Sequence, residues 1–462
     1  MIVAFVSTLV LLAAVPAGAT PKGHGGPFVP GAPGVGDEYF PLAGNGGYDV
    51  RHYDLRLRYT PDTQVLRGRA RISATATQNL SSFNLDLRGF DIAALLLDGR
   101  RARFSRDGQE LTVRARQKLR KGERFHVTVV YRGQPPQLVD ADGFPYGWIF
   151  TDDGSFVANE PDGASNWYPV NDHPTDKATY RFHVTVPEGF TAVANGILRW
   201  QRTTRAWTTF VWVASDPTAS YLTTASVGRF ELTEGRLPSG LPEINAVDVD
   251  LVGDAGLTVL DDTPAFLDYL SSVYGPYPFD SIGAIVDDAE EIGYAREPQP
   301  RPIYAGVPDY ATVVHELAHQ WVGNSVSPGR WQDIWLNEGF ATYSEWLWDE
   351  DQGTATAQEA FDEIYARPAS DGFLWNPPPG DPGADDLFET SVYIRGAMTL
   401  QVLRITVGDD AFFTILREWV DKYGGGTATT PDFIALSERV SGQQLDALFD
   451  AWLYQEGKPV LP

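Results

Sequence analysis

One stretch of the sequence holds residue types that could do hydrolytic chemistry. In His315-Glu316-Leu317-Ala318-His319 two imidazoles stand four residues apart, with a carboxylate beside them. On a helix that spacing puts both rings on one face, where they can share a single metal ion. After a turn at "SVSPGR", Glu338 follows with eighteen residues between it and His319. Two antiparallel helices joined by a loop would bring this carboxylate to the imidazoles. Three protein ligands and a fourth position left to water are what a catalytic zinc site needs. The bland alternative is a pair of solvated or core-satisfied histidines. The chain has no cysteine, which removes thiol catalysis and leaves any metal to His, Asp or Glu.

The elements that must position these residues can be read from hydrophobic periodicity. Val314, Leu317, Ala318 and Trp321 form an apolar stripe that would bury the histidine helix, started at Pro308-Asp309 and ended at Gly323-Asn324. Helical spacing recurs in "LDDTPAFLDYLSSVYG", "IWLNEGFATYSEWLWDE", "YIRGAMTLQVLRITVG", "DAFFTILREWVDKYG" and "SGQQLDALFDAWLYQEG". Before about residue 235 the texture differs. "YDVRHYDLRLRYT", "ARISATAT", "RFHVTVVYRG" and "TYRFHVTV" alternate, with turn signals at Asp98-Gly99, Glu188-Gly189 and Asn195-Gly196. The expected fold is multidomain: an N-terminal β-sandwich or saddle over 38–240, then a mainly helical domain over 241–462. No fixed-period repeat is present.

Composition sets outer limits. With 462 residues, 43% hydrophobic and 21% charged, the chain is long enough for two or three globular domains. A net charge of −25 repels nucleic-acid phosphates and anionic membrane surfaces, so neither partner is expected. The opening "MIVAFVSTLVLLAAVPAGAT" is a short apolar run closing on Ala17-Gly18-Ala19, without a basic residue ahead of it. It is expected to be a secretory signal, residues 1–19, with a retained anchor as the alternative. A flexible Gly/Pro-rich leader is expected over 20–37.

"HELAH", eighteen residues and "WLNEGFATY" resemble the M1 family of zinc aminopeptidases, gluzincins with a thermolysin-like catalytic domain. The resemblance runs on through "EPDGASNWYPVNDHPTDKATY" (160–180) and "SGQQLDALFDAWL". It implies one Zn2+ held by His315, His319 and Glu338, with Glu316 as general base and then acid. "SVYIRGAMTL" resembles the segment carrying the family's catalytic tyrosine, which puts the oxyanion donor at Tyr393. Peptides with a free N-terminus would be the substrates, their ammonium held by Glu160 and by Glu297. The latter stands in "IGYAREPQPRP", where Arg296 and Pro298 replace the family's Met and Asn on either side of the glutamate. This departure touches the first substrate pocket. A thermolysin-type endopeptidase and an inert binding protein on the same scaffold are the competing readings. Glu345, two helical turns past Glu338, would either orient an imidazole or make a surface salt bridge. The acidic run 287–291 lacks EF-hand spacing, and a solvated loop or cleft rim is expected there. Many members carry a further C-terminal helical domain; the chain ends at Pro462, and a more open cleft is the expectation.

Overall fold

The structure is a computed structural model that describes residues 26–461; the expected signal segment lies outside them. The first half is built on an eight-stranded sheet whose central strands are Ala178–Pro187, Tyr48–Thr60, Val65–Ala76 and Arg124–Gly133. Tyr48 and Val50 point inward, and so do Tyr53, Leu55, Leu57 and Tyr59. The odd step between Val50 and Tyr53 is a register shift, where one extra residue turns the alternation over. The Val50 N–H there goes to Asp176, at 3.1 Å. A four-stranded and a five-stranded sheet cover this face, and aromatic residues such as Phe83, Phe125, Trp148 and Trp167 fill the space between.

Residues 26–37, expected as part of a flexible leader, are pinned. Val29–Pro30 pairs with the strand Leu80–Asp86, and Asp37 accepts from the Trp331 N–H at 2.8 Å while meeting His173 at 3.2 Å.

A second five-stranded sheet, in the order Phe230–Arg236, Pro242–Asp248, Ile285–Val286, Ile303–Tyr304, Ala295–Arg296, joins the two halves. Side chains alternate between sheet faces. Ile285 and Ile303 accordingly enter the first core, while Val286 and Tyr304 enter the second.

Helices make up most of the rest: α1 Thr263–Tyr274, α2 Tyr310–Ala318, α3 Trp335–Gln352, α4 Ala357–Tyr365, α5 Gly372–Trp375, α6 Thr390–Val407, α7 Asp409–Tyr423, α8 Thr430–Ser441 and α9 Asp446–Phe449. The α1 positions 266, 267, 270, 273 and 274 are buried, one stripe at helical spacing. Thr356 with Glu359, and Thr429 with Asp432, form capping boxes at α4 and α8.

The single helix expected over 441–457 is not formed. Gly442, at φ +69°, closes α8, and after α9 the backbone widens through 450–454. The fully buried Arg395 accounts for the widened stretch. Its guanidinium donates to the carbonyls of Ala451, Trp452, Gln455 and Gly457, turning them away from a regular ladder. No helix among the described residues is long and apolar enough to cross a membrane.

Candidate active site

Local chemistry starts the histidine helix where it must. The Asp309 carboxylate accepts the Thr312 N–H at 2.8 Å, capping α2. The regular helix ends at Ala318, one turn earlier than expected, and His319 sits at its cap. Beyond it the chain turns through Gly323 at φ +109°, so that the Val322 carbonyl comes back to His319 Nδ1 at 3.1 Å.

The next helix brings Glu338 to both rings. Its Oε2 lies 3.3 Å from His315 Nε2 and 3.5 Å from His319 Nε2. Among the described residues, His315, His319 and Glu338 are one of two groups whose potential ligand atoms converge within 4.8 Å. The outer ring nitrogens decide how these histidines present themselves. His315 Nδ1 lies 2.7 Å from Glu345 Oε1, and His319 Nδ1 faces a carbonyl. Both partners only accept, so each Nδ1 carries the proton and each Nε2 offers a lone pair inward. Burial disfavours the charged rings, yet the Glu338 carboxylate outweighs it and raises the proton affinity of both. A divalent cation placed where those protons would sit satisfies the same carboxylate and leaves both rings neutral. The donor set therefore fits zinc.

Glu316 is buried, and its Oε2 has no hydrogen-bond partner among the described residues. Burial pushes it up to about 7, against the pull of His315 and His319. Tyr393 lies with its ring 6.0 Å from that of His315, centroid to centroid, at an interplanar angle of 24°. It is delivered by α6, which crosses α3 at a glycine pair. A Cβ on Gly339 would sit 2.8 Å from the Gly396 backbone, and one on Gly396 would sit 2.9 Å from Gly339. Only hydrogen at both positions lets Glu338 and Tyr393 share one site.

Two further carboxylates come from other elements. Glu297 follows the edge strand Ala295–Arg296, and its carbonyl accepts from Asn324 Nδ2 at 2.7 Å. Glu160 comes from the first half. Both are almost fully buried; neither oxygen of Glu160, nor Glu297 Oε1, has a hydrogen-bond partner among the described residues. Burial first, and then the nearby Glu297, holds Glu160 well above the usual carboxylate range. Arg296 lies between the ring faces of Tyr294 and Phe388, 4.5 and 4.7 Å from their centroids, with Nε 3.7 Å from Glu160 Oε2.

His315, Glu316, His319, Glu338, Tyr393, Glu160 and Glu297 thus fall at one place, where the two halves meet. Two family models match stretches of the two halves, and Arg296 and Glu297 lie between the matched stretches. The peptidase M1 N-terminal domain matches residues 50–222 and the peptidase family M1 domain residues 308–452. A crystal structure of the M1 zinc metallopeptidase from Deinococcus radiodurans superposes with a TM-score of 0.86 at 31% identity, covering 93% of this chain and 98% of that one. The chain belongs to peptidase family M1. A related M1 structure from that organism holds a Tyr-Ser-Ala substrate. Among curated M1 relatives, aminopeptidase A of Gloydius brevicauda is 26% identical over 453 residues, 89% of this chain and 46% of its own. Glutamyl aminopeptidase of Sus scrofa is 26% identical over 457 residues, 89% of this chain and 48% of its own. The chain spans about half the length of the curated relatives it matches.

Sequence reasoning left Glu345 undecided; its 2.7 Å contact with His315 favours the orienting role over a surface salt bridge. The Val322 carbonyl and the Asn324 amide carried no sequence signal at all. The acidic run 287–291 differs from its expectation, because Asp287 is buried.

Proposed function

We propose that this M1 peptidase is a zinc aminopeptidase that removes N-terminal residues from peptides. The observation that carries this reading is the pair of buried carboxylates, Glu160 and Glu297, short of partners beside the His315–His319–Glu338 group. Arg296 offsets part of the charge on Glu160, but two buried carboxylates with unpaired oxygens remain unfavourable, and a substrate ammonium supplies the further charge and the donors they lack.

In this proposal His315, His319 and Glu338 hold one zinc ion, and Glu345 and the Val322 carbonyl orient the rings. When bound, the ion would supply Lewis acidity toward the attacking water and the peptide carbonyl. Glu316 takes a proton from that water as its oxygen bonds to the carbonyl carbon, and returns a proton to the nitrogen as the C–N bond breaks. The Tyr393 hydroxyl donates to the developing oxyanion. Glu160 and Glu297 fix the α-ammonium, so the bond cleaved is the first one.

Arg296 favours a second reading. A cation beside Glu160 already offsets part of its charge, which weakens the demand for a free amine and would admit an internal stretch of chain, as in an endopeptidase. We further propose a boundary between the domains near residue 240, and export directed by residues 1–19.

One digestion separates the readings. The zinc-loaded chain is given one peptide in free and N-acetylated form, with and without a chelator, and products are weighed by mass spectrometry. Stepwise loss from the free form alone, abolished by chelation, is expected. Internal cleavage of both forms means an endopeptidase, and no cleavage with zinc bound means an inert scaffold. Glu316→Gln should keep its zinc and lose about 10²–10⁴-fold in kcat.

A further inference from the structure

The second converging group of potential ligands shares no residue with the first. It consists of Asp153, Asp248 and Asp287, each offering one carboxylate oxygen, with those oxygens within 4.8 Å of one another. Strand geometry builds it. Pro242–Asp248 runs parallel to Ile285–Val286, with Ala246 opposite Ile285 and Val247 opposite Val286. One more step of that register sets Asp248 beside Asp287. Asp153 arrives from a turn of the first half. Its Oδ2 accepts the Arg229 N–H at 2.9 Å, and the next residue, Phe230, pairs with Asp248.

Burial makes this arrangement unlike an ordinary acidic surface. Asp248 is 3% exposed and Asp287 1%. Asp287 Oδ2 has no hydrogen-bond partner among the described residues. The charges acting most strongly on Asp287 are all negative: Asp153, Asp248, Asp288 and Glu291. Those on Asp248 are Asp153, Asp250 and Asp288. Buried carboxylates of one sign converge, and no ion pair to them is formed among the described residues. Burial, reinforced by these neighbours, pushes Asp287 up to about 8, as expected of a group waiting for a cation or a proton.

We propose that Asp153, Asp248 and Asp287 form a second metal site, specific for calcium. An all-oxygen donor set selects a hard cation over zinc. Three converging carboxylates suit the six- to eight-oxygen shell of calcium, whereas magnesium keeps most of its waters and is usually held through only one or two carboxylates. Water completes the shell from the side of the half-exposed Asp153. The ion ties a turn of the N-terminal domain to the sheet that leads to Glu297, so its effect is on the joint between the halves.

The test uses the full zinc-loaded chain, freed of calcium, with radioactive calcium in equilibrium dialysis and thermal unfolding in parallel. One calcium per chain is expected, with Tm rising by about 3 °C at a hundredfold excess over Kd. Asp287→Asn should lose that ion and that shift while still hydrolysing peptide. If Asp287→Asn fails to fold, Asp153→Asn, on its half-exposed turn, carries the same test. Absence of bound calcium, retention of the ion by Asp153→Asn, or a shift given by magnesium and not calcium would each overturn the proposal.

Discussion

Glu345 shows how a residue that touches no substrate in our reading can still set the strength of the metal centre. Its carboxylate fixes the tautomer of His315 through the 2.7 Å contact with Nδ1, so the inward nitrogen is a lone pair rather than an N–H. Loss of such an outer partner lowers metal affinity by about 10–100-fold. Glu345→Ala should show that loss in a competition titration against a chelator, whereas Glu345→Gln should recover part of it, since an amide oxygen still accepts. Equal zinc affinity in the parent and both variants would return Glu345 to the role of a surface ion pair.

Among the elements, the crossing of α3 and α6 carries the most consequence. Gly339 directly follows Glu338, the proposed ligand, and Gly396 stands three residues beyond Tyr393. A methyl group on either backbone meets the other at under 3 Å, with no flexible side chain to give way. Gly396→Ala must therefore spread the helices, at about 1–3 kcal/mol by the usual scale of overpacking. The expected outcome is a lower unfolding midpoint in urea together with a lower kcat, because Tyr393 withdraws from His315, while zinc content stays at one per chain. A variant with parental stability and kcat would mean that the crossing has slack.

Across the whole molecule, stability should vary with pH through groups buried where the chain segments join. Asp176 accepts from the Val50 N–H and from Asn171, and burial lifts its pKa from 3.8 to about 8. The folded state therefore binds this proton more tightly than the unfolded state. Its contribution is complete below about pH 4 and is lost as pH rises through about 8. Asp176→Asn should accordingly gain on the parent in Tm as pH is raised from about 5 to 8, by up to a few kcal/mol in stability. A difference that stays flat over that range would show that the carboxyl is not protonated in the fold.

The histidine pair of the proposed metal centre was legible without coordinates because its spacing depends on local periodicity. Four residues bring His315 and His319 to one helix face, and the β and helical textures of the two halves follow from alternation at 2 and at 3.6 residues. The family's pattern added Tyr393, Glu297 and Glu160, which no spacing could single out. The rest depends on contacts between segments far apart in sequence. Arg395 widens the end of the expected last helix by taking its carbonyls, and Gly339 meets Gly396 across 56 intervening residues. Asp287 looks like one residue of a solvated acidic run until parallel pairing sets it beside Asp248 and a turn delivers Asp153. Periodicity is written into neighbouring residues, whereas burial and counter-charge are properties of the packed chain, and these decided which carboxylates lack partners.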